Sequence, residues 1–103
     1  MSVDLDIKLD EKITQEIKEP SKYKVVFIND EQTPMEWVVF LLTNIFRHSQ
    51  ISAEELTMQI HTEGSGIVGI YSYEIAEIKA TEATTASRNK GFPLQIKLEE
   101  ADE

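Results

Sequence analysis

The chain has 103 residues, with 19 acidic against 10 basic side chains, a net charge of -9 and 41% apolar residues. This describes one compact soluble domain, because a chain of this length can bury roughly two thirds of its unfolded surface in a single core. The acidity argues against nucleic acid or an anionic membrane as the main partner, since phosphates are held by basic clusters and none is present. With no cysteine there are no disulfides and no thiolate chemistry.

The longest strongly apolar run, Trp37 to Leu42, has six residues, far short of the ~20 that cross a bilayer as a helix. The first 22 residues carry six acids and four bases and no apolar core, so they resemble neither a secretory signal nor an Arg-rich transit peptide. A cytoplasmic location is the expectation. Within residues 1–21, Val3, Leu5, Ile7 and Leu9 alternate with charged neighbours; the stretch reads as a flexible N-terminal extension, because an isolated strand of this kind is marginal.

Tyr23 to Ile28 reads as the first strand, with Tyr23, Val25 and Phe27 on one face and Lys24, Val26 and Ile28 on the other. Asn29-Asp30 ends it. Thr33, Pro34 and Glu36 spell a helix start, with Thr33 as N-cap, Pro34 at the first helical position and Glu36 closing a capping box. This helix is expected to run to about Arg47. Nine of the twelve residues from Met35 to Phe46 are apolar, which places it centrally in the core.

A second helix is expected from Ser52 as N-cap, with Glu55 in the box and Ile51 and Leu56 as a hydrophobic staple, to Gly64. Ile67 to Tyr71 reads as a strand in which Gly69 permits another backbone to approach. A third helix spans about Tyr73 to Lys90, with Arg88 and Lys90 in its last turn and Gly91 as C-cap. Leu94, Ile96 and Leu98 alternate as a last strand, and residues 99–103 form an acidic, frayed tail. The order β-α-α-β-α-β predicts an α+β two-layer sandwich, a three-stranded antiparallel sheet packed on three helices.

The polar run Asn29-Asp30-Glu31-Gln32-Thr33 lies between a buried strand and an apolar helix. It reads either as a turn plus a cap or as side chains held at a cleft. His61, near the end of the second helix, reads as an exposed or structural residue or as a ligand-facing one. His48 reads as a solvated residue at a helix C-terminus. Asp30 and His61 could form an acid–base pair, yet no nucleophile elbow, thiol or phosphate loop accompanies them, and the expectation is a protein that is not an enzyme. Two histidines 13 residues apart match no metal-ligand spacing, and neither a metal nor a cofactor is expected.

The run Val25-Val26-Phe27-Ile28-Asn29-Asp30-Glu31-Gln32-Thr33-Pro34-Met35-Glu36-Trp37-Val38 resembles the signature of the ClpS adaptor family, in which N-D-D/E-x-T-P-M-E-F/Y/W-V follows the first strand. His61 with Gly64, Gly69, Ala76-Glu77-Ile78-Lys79 and Arg88 with Pro93-Leu94 keep register, so the resemblance covers residues 22–98. It implies a non-enzymatic adaptor that binds N-degrons, proteins beginning with Leu, Phe, Tyr or Trp, and hands them to the N-domain of the ClpA or ClpC unfoldase of the Clp protease.

By the same resemblance, Asn29, Asp30 and His61 bind the α-amine. Ile28, Thr33, Met35, Ile60 and Leu94 line a hydrophobic pocket with Met35 as gatekeeper, and Glu74 and Lys79 face the unfoldase. Thr57 stands where the family often has methionine, with Met58 beside it, and Glu31 replaces the commoner aspartate at the cleft rim. The competing reading is a generic, ribosomal-stalk-like α+β interaction module that does not read N-termini.

Overall fold

Residues 21–101 are described by the structure, a computed structural model. Apart from Ser21, the expected extension lies outside the described residues. The elements are β1 (Lys22–Ile28), α1 (Met35–Asn44), α2 (Gln50–Glu63), β2 (Ser65–Ser72), α3 (Tyr73–Asn89) and β3 (Gln95–Ala101). This is the expected β-α-α-β-α-β order. β1 is the central strand of a three-stranded sheet ordered β2-β1-β3, antiparallel to both neighbours.

The alternation read in β1 decides the layering. Val25 and Phe27 are fully buried, and they join Val38, Leu41, Leu42, Phe46, Ala53, Ile60, Val68, Ala76, Ala83 and Leu94 in one core. α3 lies along all three strands, α2 against β2, and α1 on α2, so the helices form a layer on that face. On the opposite face Val26, Ile28 and Ile67 line a shallow groove with Lys97 and Glu99.

α1 is less central than its composition predicts. Only Val38, Leu41 and Leu42 are buried. Met35 and Phe40 point outward, and Trp37 stacks on Phe40 at 5.1 Å and meets Phe92 edge-on at 5.6 Å. With apolar residues on both faces, the helix uses one for the core and spends the other on a surface aromatic cluster.

Helix ends also differ from the sequence grammar. Pro34, not Thr33, is the N-cap of α1, because the Thr33 hydroxyl is already donated to the Asp30 carboxylate; the expected Glu36 box does not form. α2 starts three residues early: Ser49 is its N-cap and accepts the Ser52 N–H at 3.1 Å. Ser52 turns its hydroxyl to His48, and Ile51 is 69% exposed and staples nothing. α3 has Lys90 as C-cap, with Gly91 one residue later at φ 84°. Residues 99–101 are not frayed as expected, since β3 holds Glu99 and Glu100 opposite Lys24 and Tyr23, where Glu99 faces an opposite charge across the ladder.

β2 carries one extra residue. Val25 faces Gly69 but Val26 faces Ile67, so Val68 is bulged out of the ladder. Its carbonyl is not orphaned: His48 Nε2 lies 2.7 Å from it, while Nδ1 lies 3.1 Å from the Ser52 hydroxyl. His48 is thus a half-buried bridge between β2 and α2, not the solvated residue expected. At Gly69 the close approach comes from a side chain rather than a backbone, since the Tyr71 ring occupies the space a Cβ would need.

α1 stops at Asn44 rather than near Arg47, and the chain reverses with Arg47 at φ 64° while the His48 N–H returns to the Leu42 carbonyl at 2.9 Å. Left-handed backbone costs a residue with a Cβ about 1–2 kcal/mol. Arg47→Gly removes that strain and returns part of the gain as unfolded-state entropy. The variant is therefore expected to gain about 0.5–1 kcal/mol, read as a higher urea midpoint at unchanged m-value.

Candidate functional site

Gly64 caps α2 in the left-handed region at φ 96°, with its N–H on the Ile60 carbonyl. Its own carbonyl is thereby turned to accept the Asn29 N–H at 2.9 Å. This bond extends the β1–β2 ladder one step past the Ile28–Ser65 pair and so joins the end of β1 to the end of α2. It sets Asn29 against the turn that follows His61 by three residues, and His61 itself is exposed in the last turn of α2.

The chain next turns back on itself around Asp30. Asp30 Oδ1 accepts the Gln32 N–H at 2.8 Å and the Thr33 N–H at 2.7 Å, and Oδ2 accepts the Thr33 hydroxyl at 2.8 Å. Partial burial pushes this carboxyl up, but the Thr33 hydroxyl, the two backbone N–H groups and the nearby Arg88 charge together outweigh it and hold the pKa below the usual 3.8. Because each carboxylate oxygen offers two lone pairs, Oδ2 keeps one acceptor position for an outside donor. Glu31, next in the turn, is exposed.

Arg88 belongs to the same corner. Nη1 donates to the Phe92 carbonyl at 2.9 Å and the Leu94 carbonyl at 2.8 Å, fixing the loop that carries Leu94 into the core. Leu94 and Ile60, 1% and 3% exposed, are members of the common apolar cluster. Met35 and Met58 are 39% and 50% exposed, whereas Thr57, between Ala53 and Ile60 on the inner face of α2, is buried. Ile28 stands at the edge of the groove on the open sheet face with Glu63, Gly64 and Ile67.

Glu74 and Lys79 lie elsewhere. Glu74 is exposed in the first turn of α3, and at 1.5 Å per residue it is ~21 Å along the helix from Arg88. Lys79 turns inward: Nζ donates to the Ile45 carbonyl at 2.8 Å, closing the end of α1, and sits 5.4 Å from the Tyr71 ring and 6.0 Å from Phe46. Around Glu74, Ile70, Tyr73, Ile75 and Ile78 are 44–55% exposed.

Three functional details escaped the sequence reading. The Asp30–Thr33 turn was signalled by the Asp-x-x-Thr spacing, which competes with N-capping. The Arg88 latch and the bond from Trp37 Nε1 to the buried Ser87 hydroxyl at 2.9 Å carry no local signal, being contacts that depend on the tertiary fold. Among the described residues, no group of three or more His, Cys, Asp or Glu side chains could hold a metal ion, and no helix is long and apolar enough to cross a membrane.

The family model described as ATP-dependent Clp protease adaptor protein ClpS matches residues 18–97. The chain is 45% identical over 87 residues to the ATP-dependent Clp protease adapter protein ClpS of Treponema denticola, covering 84% of this chain and 86% of that one. It is 41% identical over 91 residues to the Burkholderia thailandensis protein of the same name, covering 88% of each. Among solved structures, Agrobacterium tumefaciens ClpS2 bound to L-phenylalaninamide superposes with a TM-score of 0.78 at 38% identity, covering 81% of this chain and all of that one.

Because the pKa of Asp30 is lowered on folding, its contribution to stability is complete above the unfolded value of 3.8 and is lost as pH falls through the depressed folded value. In Asp30→Asn the amide oxygen can still accept the two N–H groups and the Thr33 hydroxyl can accept from the new NH2, so the loss is the carboxylate charge and the added strength it gives these bonds. Urea unfolding is expected to show the variant about 1 kcal/mol less stable at pH 6, with the difference shrinking steadily below pH 3.8.

Proposed function

The chain belongs to the ClpS family of ATP-dependent Clp protease adaptor proteins, and on that premise we propose that it binds N-degrons, proteins beginning with Leu, Phe, Tyr or Trp, and delivers them to the ClpA or ClpC unfoldase. The observation that carries this reading is the corner where β1, the Asp30 turn and the end of α2 are bonded together.

A free α-amine has a pKa of about 7.7–8.0, so at neutral pH it offers three donors and a positive charge. Asn29 supplies an amide oxygen, Asp30 the free lone pair of Oδ2, and His61 a ring nitrogen, directly or through water. The negative charge held on Asp30 by its own turn is the electrostatic partner of the ammonium. An internal peptide nitrogen has one donor and no charge, which is why the site would read only chain ends.

The first side chain enters among Ile28, Thr33, Met35, Thr57, Met58, Ile60 and Leu94. Burying it contributes roughly 1.5–3 kcal/mol, one to two decades of affinity. Met35, unbranched and 39% exposed at the start of α1, suits the role of an adaptable gatekeeper against β-branched residues.

Delivery is assigned to the other end of α3. Ile70, Tyr73, Ile75 and Ile78, within four residues of Glu74 in sequence, are exposed, and apolar side chains left exposed near a charge suit a protein partner. Lys79, bonded to Ile45 and lying beside two aromatic rings, supports that face from within. The extension at 1–21 is the proposed second contact with the unfoldase.

Fluorescence anisotropy with labelled peptides beginning Leu, Phe, Tyr, Trp, Ile or Met tests the reading. Bulky unblocked peptides are expected to bind tightly, N-acetyl-Leu to lose binding by tenfold or more, and affinity to fall above about pH 8 as the amine loses its proton. Absence of binding to every unblocked peptide would leave a generic interaction module as the better account. Glu74→Lys is expected to weaken association with the unfoldase N-domain while peptide affinity stays within twofold; parallel losses in both assays would argue against separate surfaces.

A further inference from the structure

Among the described residues, one buried side-chain polar atom has no hydrogen-bond partner, the Thr57 hydroxyl. The residue is 3% exposed. A threonine or serine inside a helix ordinarily returns its hydroxyl to the carbonyl four residues earlier, and this protein does so repeatedly: Thr43 to Val39 at 3.1 Å, Thr62 to Met58 at 3.0 Å and Ser87 to Ala83 at 2.8 Å. For Thr57 that acceptor is Ala53, and the bond is not made. Folded proteins leave such groups unpaired at only a few positions, and each calls for a physical reason.

Its place on α2 supplies one. Thr57 precedes His61 by four residues, on the same side of the helix and one turn deeper, a rise of ~6 Å. An ammonium held at the level of His61 therefore directs the first side chain down this strip, over a depth comparable to the length of an aromatic residue. Ile60 and Leu94 belong to the apolar cluster, and the other hydroxyl of the proposed lining, Thr33, is already donated to Asp30, which leaves Thr57 as the hydroxyl whose proton is uncommitted. A hydroxyl can both donate and accept, and it would pair with a phenol in either direction or accept from an indole N–H. A phenyl or isobutyl group would leave it unpaired. Met58, next in sequence, and Met35 are largely exposed, and their unbranched chains can move to admit a larger ring.

We propose that the Thr57 hydroxyl makes this pocket selective for a first residue with a polar tip, tyrosine in preference to phenylalanine. The proposal rests on the N-degron reading of the site and adds to it which side chain is favoured. Sites built around a hydrogen bond discriminate against the analogue that lacks it more sharply than purely apolar pockets do.

The test is anisotropy of the full chain with two peptides that differ only in a first Tyr or Phe, for the wild type, Thr57→Ser and Thr57→Val. The wild type is expected to bind the Tyr peptide about fivefold more tightly. Thr57→Ser is expected to keep that preference, and Thr57→Val to reduce the Tyr-to-Phe ratio to one or below. An equal Tyr-to-Phe ratio in wild type and Thr57→Val would overturn the proposal while leaving N-terminal recognition intact. If neither unblocked peptide binds the wild type, the functional reading and the proposal fail together. Thr57→Val is also expected to melt no lower than the wild type, because it discards an unpaired buried hydroxyl; a lower Tm would show that the hydroxyl is already partnered in the free protein and would overturn the proposal.

Discussion

The arrangement of the candidate site depends on one backbone hydrogen bond, from the Asn29 N–H to the Gly64 carbonyl. β1 and α2 are separated by the whole of α1, and their ends meet because the β1–β2 ladder, which pairs Ile28 with Ser65, is extended by this bond to the residue that caps α2. The bond forms because Gly64 alone turns the chain left-handed at the end of α2, which frees its carbonyl to point toward β1 instead of along the helix. A residue with a Cβ at that φ would strain the cap, and a shift of even one residue in the helix end would move the Gly64 carbonyl out of reach of Asn29. Sheet, helix and turn chemistry are therefore coupled at one peptide group.

Polar side chains, rather than further apolar burial, hold the loops around this point. His48 closes the β2 bulge, Lys79 closes the end of α1, Trp37 is tied to Ser87, and Arg88 grips two carbonyls of the loop before β3. His48, Lys79 and Arg88 each satisfy a backbone carbonyl at a bulge, a helix end or a loop, while Trp37 bonds a hydroxyl inside α3. This explains why residues that look like surface charges in the sequence are structural. Arg88 serves twice, since its charge contributes to the lowered pKa of Asp30.

Much of this is legible in the sequence. Period-two alternation in Tyr23–Ile28, and glycine, serine and proline as punctuation, gave all six elements in order, because these signals act within a few residues. The errors fall where two local signals compete. Thr33 and Ser52 are good N-caps by type, but each hydroxyl has a stronger claimant, Asp30 in one case and His48 in the other, and those claimants depend on turn geometry and on strand placement. Helix α1 was placed too deep for a similar reason: apolar content does not say which face meets the core, and Trp37 and Phe40 satisfy one another and Phe92 at the surface. The resemblance named site residues that composition and spacing left ambiguous, while the turn that orients Asp30 emerged only from the fold.

The length of α3 has a consequence for how an adaptor of this size can work. Its C-terminal end fixes the loop of Leu94 and biases Asp30; its N-terminal end carries Glu74 among exposed apolar residues, ~21 Å away. Between them the helix lies across all three strands, so the two ends cannot shift independently without disturbing the core. If the proposed substrate and partner surfaces lie at these opposite termini of one rigid element, both can be occupied together without steric competition. β1 is the central strand, and its last residue leads into Asn29, whose N–H is bonded to Gly64, so the sheet, α2 and the Asp30 turn belong to the same rigid unit that α3 spans.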